Sequence, residues 1–113
     1  MRQRESVRVI SYGRAGRLLP RRAAGLRAGV VALKPGEVMP WHSTKSREEL
    51  LIALEGRLRV EIQSRDKRRG QRVRRLTMNE GRCVLLPRRT VHRVVNQSRE
   101  RAHYIYVTGV VEA

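Results

Sequence analysis

The residues of this chain that could do chemistry fall in two short segments. The first, Pro35-Gly36-Glu37-Val38-Met39-Pro40-Trp41-His42-Ser43-Thr44-Lys45-Ser46-Arg47-Glu48-Glu49, places a histidine and a carboxylate a few residues apart. The second, Gly81 to Asn96, contains His92, one of three histidines in the chain. A neutral imidazole and an ionised carboxylate are good ligands for a divalent metal ion when a scaffold aims them at one point. Neither segment is such a scaffold alone, so the elements around them decide whether they meet.

Those elements read as short strands. Leu26 to Leu33 is mostly apolar and stops at the Pro35-Gly36 turn signal. Leu50-Leu51-Ile52-Ala53-Leu54 is apolar on both faces, and a five-residue run bounded by charge suits a doubly buried strand better than a helix. Arg57 to Gln63 alternates strictly between polar and apolar residues, the pattern of a half-buried strand. Ser64 to Gly70 reads as a hairpin loop. Gln71 to Met78 returns with its alternation slipped by one at Arg74-Arg75, the mark of a β-bulge. Arg82 to Leu86, Val91 to Val95 and His103 to Val111 follow, separated by Pro87 to Thr90 and Asn96 to Arg101. Ahead of them, Ser6 to Ile10 alternates briefly as a first strand, and Tyr12 to Gly25 is a loop or extended arm. No segment sustains a helical period. Roughly eight short strands at about ten-residue spacing predict an all-β sandwich or barrel. Residues 1–25 form its N-terminal strand and arm and residues 26–113 its body, one domain overall.

Composition narrows the setting. A chain of 113 residues fits one domain with one core. It has no run of the roughly 18 apolar residues that span a bilayer, and its first residues lack the apolar stretch of a signal peptide. The expectation is a soluble, cytoplasmic protein with no membrane partner. The single cysteine, Cys83, excludes an internal disulfide and a thiolate metal site of its own. Charge is the unusual quantity: 26 basic against 10 acidic residues, a formal net charge of +16, with 23 of the basic residues arginine. Such a field attracts polyanions. The arginines run from Arg2 to Arg101, densest at Arg65-Asp66-Lys67-Arg68-Arg69. One Trp, three Tyr and no Phe leave few stacking platforms for single-stranded nucleic acid, which is therefore a partner to weigh but not the favoured one.

Taken together, the two segments resemble the two conserved motifs of the cupins. Gly36, five residues, His42, one residue, Thr44, four residues, Glu49, six residues and Gly56 match the first. Gly81, five residues, Pro87, one residue, Arg89, two residues, His92, three residues and Asn96 match the second. Eight of these ten positions agree; Thr44 stands where a second histidine is usual, and Arg89 where glycine is usual. The resemblance implies a small single-domain cupin β-barrel of the jelly-roll kind, a double-stranded β-helix, often dimeric and holding a divalent metal inside. Carried over by position, the metal ligands are His42, Glu49 and His92. Thr44, in the fourth place, is a poor ligand whose hydroxyl could bond a metal-bound water. Two imidazoles and a carboxylate suit an Fe(II), Mn(II) or Co(II) site with open positions, or a catalytic zinc, and Ni belongs to the same series.

Other residues have candidate places around such a cavity. Glu48 points away from Glu49 on a regular strand. Trp41 could line the mouth or simply pack. His103 falls on the opposite face from Tyr104 and Tyr106, and either set could face the cavity. Arg88 and Arg89, in the turn before His92, could grip a carboxylate or phosphate at the rim. The function expected is metal-dependent binding of, or action on, a small anionic molecule, as an oxygenase or isomerase if the protein is an enzyme. No catalytic base stands out. The alternatives are a metal-free ligand-binding or sensor barrel and a basic nucleic-acid-associated protein. Leu50 to Leu54, apolar on both faces, predicts a homodimer that covers one of them.

Overall fold

The alternating segments assemble into two antiparallel sheets that face each other. The computed structural model describes residues 7–20 and 25–110. Among these residues the strands are β1 Gly16–Arg17, β2 Leu26–Leu33, β3 Val38–Ser43, β4 Arg47–Glu55, β5 Arg57–Asp66, β6 Gly70–Asn79, β7 Cys83–Leu86, β8 Val91–Asn96 and β9 Ala102–Val110. One sheet has the order β1-β2-β9-β4-β7 and the other β3-β8-β5-β6. From β2 to β5, and again from β6 to β9, successive strands alternate between the sheets, so the chain winds a barrel.

Period-two alternation decides which side chains fill it. On β5, Leu58 and Val60 are buried while Arg57 is exposed. On β4, Leu51 and Ala53 join the core, and Leu50 and Ile52 lie half-buried on the other face. The core also takes Leu33, Met78, Leu86, Val94 and Tyr104. Gly56 closes the β4–β5 connection at φ 90°, and a Cβ there would sit 2.7 Å from the Ala102 Cβ. Only glycine meets both demands.

Three local expectations differ from the structure. Val7 to Ile10 form no strand: Val7 and Val9 are fully exposed, because alternation without a partner strand has nothing to pair with. Ser6, the other residue of that expected strand, lies outside the described residues. The expected Ser64–Gly70 loop is shorter, since β5 and β6 stay paired to Asp66↔Gly70 and only residues 67–69 turn. Arg74-Arg75 is no bulge, because the β5–β6 register runs unbroken from Arg57↔Asn79. The slip in hydrophobicity marks the point where the hairpin leaves the core, so an inward position no longer needs an apolar residue. Register shifts occur instead between Met39 and His42 on β3 and between Ala53 and Glu55 on β4.

Candidate metal centre

His42 on β3 and His92 on β8 are direct cross-strand partners, so both rings leave the sheet on the same, inner face. Their centroids are 4.2 Å apart and their planes tilted by 56°. Glu49 reaches the same place from the other sheet: on β4, Glu48 is exposed and Glu49 is buried. Its Oε1 stands 3.4 Å from His92 Nε2. One ligand atom from each of His42, Glu49 and His92 lies within 4.8 Å of the others. That is close to the span of ligands around one ion, whose bonds are about 2.0–2.2 Å.

Backbone carbonyls set the direction of both imidazoles. His42 Nδ1 lies 2.8 Å from Pro40 O, and His92 Nδ1 lies 3.1 Å from Thr90 O. A carbonyl can only accept, so each Nδ1 carries a proton, and each ring in its neutral form presents an Nε2 lone pair. Metal-binding histidines are oriented in this way by a partner on the second nitrogen. His92 Nε2 is buried and makes no hydrogen bond. With the ring in its neutral form it faces the Glu49 carboxylate lone pair to lone pair, an unfavourable contact that a cation between the two would remove. The donor set therefore fits a divalent metal ion.

Thr44 does something different. Its hydroxyl donates to Pro87 O at 2.8 Å and accepts from the Thr90 N–H at 3.0 Å, while its own N–H donates to Thr90 O at 3.1 Å. The side chain is buried and ties the first segment to the turn that precedes His92. Its one proton is committed to Pro87. Beside it, Lys45 and Arg89 both have left-handed backbones, at φ 55° and 59°, and the Arg89 N–H donates to Lys45 O at 2.7 Å. The position where glycine is usual thus keeps the conformation glycine favours.

A cavity of about 820 Å³ opens between the sheets, and His42, Thr44, Glu49, His92, Tyr104 and Tyr106 all line it. Trp41, Arg89 and His103 do not. Trp41 packs against Arg93, whose guanidinium carbon lies 4.6 Å from the ring centroid. His103 Nδ1 lies 3.0 Å from Glu55 Oε2, and Arg89 occupies an exposed turn. Burial, then the Glu49 carboxylate and Tyr106, push the Tyr104 phenol above its ordinary value.

The lining also contains Arg17, Arg27, Lys45 and Arg47, none singled out by spacing. Arg27 is opposite Thr108 on β9, and Thr108 is opposite Glu49 on β4. This row across three strands becomes legible only once the pairing is known. Arg47 acts as a strut, with Nε donating to Thr108 Oγ1 at 2.8 Å and Nη2 donating to Gly25 O at 3.1 Å.

Residues 29–108 match the family described as Cupin domain. The chain belongs to the cupin family. No curated protein matches its sequence. Among solved structures, this cupin is similar to a Cupin 2 conserved barrel domain protein from Salinispora arenicola CNS-205. The identity is 23%, the TM-score 0.67, and the alignment covers 95% of this chain and 90% of that one. It is also similar to an oxalate oxidase in complex with the substrate analogue glycolate, at 21% identity and TM-score 0.68 over 76% of this chain and 42% of that one. A third likeness is to the Schizosaccharomyces pombe Cnp3 cupin domain, with 18% identity, TM-score 0.70, and 86% and 60% coverage. The matched part of this chain thus covers less than half of the oxalate oxidase chain. At these identities the likeness is one of fold: a jelly-roll cupin barrel built from two antiparallel sheets. No helix among the described residues is long and apolar enough to cross a membrane.

Proposed function

We propose that His42, Glu49 and His92 hold a divalent metal ion, one of Mn, Fe, Co, Ni or Zn, and that the cavity beside it takes a small organic anion. The carrying observation is His92 Nε2: buried, without a hydrogen bond, and turned by Thr90 O toward Glu49. Bound there, a divalent ion supplies a Lewis-acid centre. The chain's own residues supply the rest. Arg17, Arg27 and Lys45 bias the cavity toward anions. Tyr104, its phenol held protonated through neutral pH, is a hydrogen-bond donor for an oxyanion. Glu49 is the one carboxylate in the lining among the described residues, so no separate general base stands beside the ligands. Metal-dependent turnover and ligand sensing both use such a site, and substrate screens on the metal-loaded protein separate them. The direct test is metal analysis of tag-free protein after incubation with each of the five ions. A stoichiometric ion, absent from His92→Ala, is expected; metal-free protein in every case overturns the reading.

A homodimer is the second part of the proposal. Leu85, 64% exposed, sits opposite Leu50, which is opposite Val107; Ile52 is opposite Ile105. These side chains share the outer face of the five-stranded sheet, and a second copy would remove them from water. The expected mass in solution is that of two chains, falling to one in Leu85→Lys; a monomeric wild type removes the proposal.

A further inference from the structure

The β5–β6 hairpin runs out past the barrel. β8 pairs with β5 only as far as Gln63↔Val91, whereas β6 follows β5 to Asp66↔Gly70. Beyond Gln63 the hairpin is a two-stranded ribbon, with no third strand among the described residues. Ser64, Arg65 and residues 67–75 are all exposed. Register divides the cations between its faces: Arg65 lies opposite Gln71 on one, while Arg72 lies opposite Ser64 on the other, and Arg74 continues that second face at the ribbon's base, opposite Ile62. Lys67 and Arg69 occupy the turn. Asp66 is the single acidic residue between Ser64 and Asn79, and that stretch holds no aromatic residue. On the adjoining outer sheet face, Arg59, Arg75 and Arg93 each place Nε close to the Glu61 carboxylate, at 2.8, 3.2 and 2.6 Å, and Arg93 donates a hydrogen bond to it. Three guanidinium groups share one carboxylate there, so the positive field continues inward from the ribbon.

We propose that this ribbon is a docking element for duplex DNA and enters its major groove. A B-form major groove is about 12 Å wide and admits a two-stranded ribbon, with a row of phosphates along each wall. Cations on both faces and at the tip meet both rows. A flat anionic surface would engage only one face. The deep, narrow major groove of duplex RNA excludes the ribbon. Single strands need stacking platforms, and the ribbon has none. Residues 64–72 contain no apolar side chain to enter a bilayer. The contacts are to phosphates, so binding is electrostatic and sequence-tolerant. The surface is independent of the metal centre.

Fluorescence anisotropy with a labelled mixed-sequence DNA duplex of about 20 base pairs, between about 50 and 200 mM KCl, tests this. Affinity is expected to fall with a log–log slope of about −3 to −5. The triple variant Arg65→Gln/Arg72→Gln/Arg74→Gln should bind at least roughly tenfold more weakly and flatten that slope by about 2–3. The charge-keeping triple with Lys at the same positions should bind as the wild type does, and melting curves check that each variant folds. A control of equal charge loss, Arg88→Gln/Arg99→Gln/Arg101→Gln, should stay within about twofold of wild type. Equal losses in the two glutamine triples would show a response to net charge alone and overturn the proposal. So would absence of binding at the lowest salt, or single-stranded DNA, duplex RNA or anionic vesicles bound as tightly as duplex DNA.

Discussion

His42 and His92 face each other across the β3–β8 ladder, and each ring is held through Nδ1 by the carbonyl two residues before it. The two Nε2 atoms are therefore aimed by the backbone before any ion arrives, which lowers the ordering that binding must impose. Saturating metal is expected to stabilise the fold, by about 2.7 kcal/mol at a hundredfold excess over Kd. The increase in melting temperature should vanish in His42→Ala, Glu49→Gln and His92→Ala. A wild type whose melting temperature does not respond to any of the five ions speaks against the centre.

Thr44 joins two loops through one hydroxyl, and valine has the same shape without it. Thr44→Val leaves the Thr90 N–H and Pro87 O short of a partner. The expected loss is about 1–3 kcal/mol in denaturant unfolding, with metal content unchanged. If stability held and metal were lost instead, the hydroxyl would belong to the metal site.

Arg89 occupies a left-handed backbone at φ 59° in an exposed turn. Such a conformation costs a non-glycine residue about 1–2 kcal/mol. Glycine gives part of that back through its larger unfolded-state entropy, about 0.5–1 kcal/mol. Arg89→Gly should therefore raise stability by roughly 0.5–1 kcal/mol, and Arg89→Val should lower it. The denaturation midpoint reads both, and a fall with glycine would show that the arginine side chain has a role of its own.

Glu61 gives the fold an acid-sensitive contact. Burial pushes its carboxyl up, but the hydrogen bond from Arg93 and the charges of Arg59, Arg93 and Arg75 together outweigh that, holding it below the ordinary value of 4.5. A carboxyl with a lower pKa in the folded state adds stability above its unfolded pKa and loses it as pH falls through the folded one. Unfolding free energy should therefore decline as pH drops below about 4.5. Glu61→Gln should be less stable at neutral pH, with a flatter profile in that range. A variant with the wild-type slope would assign the acid sensitivity to other carboxylates.

Much of the fold and of the candidate centre is local information. Leu26 to Leu33 announces its strand by apolar content and ends it with Pro35-Gly36, and β2 has those bounds. Arg57 to Gln63 shows which face is inward by alternation alone. The resemblance of the two segments to the cupin motifs implied the set His42, Glu49 and His92, and the barrel brings those three side chains within 4.8 Å. Strand period and turn chemistry act over a few residues, so one chain without relatives is enough to read them.

What only the tertiary structure decided depends on partners far along the chain. Thr44 bonds Pro87 and Thr90, 43 and 46 residues away, and no local pattern reveals that its hydroxyl is taken. Tyr104 and Tyr106 line the cavity and His103 turns to Glu55; alternation separated them but could not say which set faced inward. Arg17 and Arg27 reach the cavity because β1 and β2 extend the sheet beside β9, a neighbour more than seventy residues downstream. The slipped alternation at Arg74-Arg75 looked like a bulge, but the β5–β6 register is unbroken there, and the slip comes just before β8 ends and the hairpin runs on as a two-stranded ribbon. Local sequence determines which way a strand alternates; the strand that lies beside it determines what each face meets.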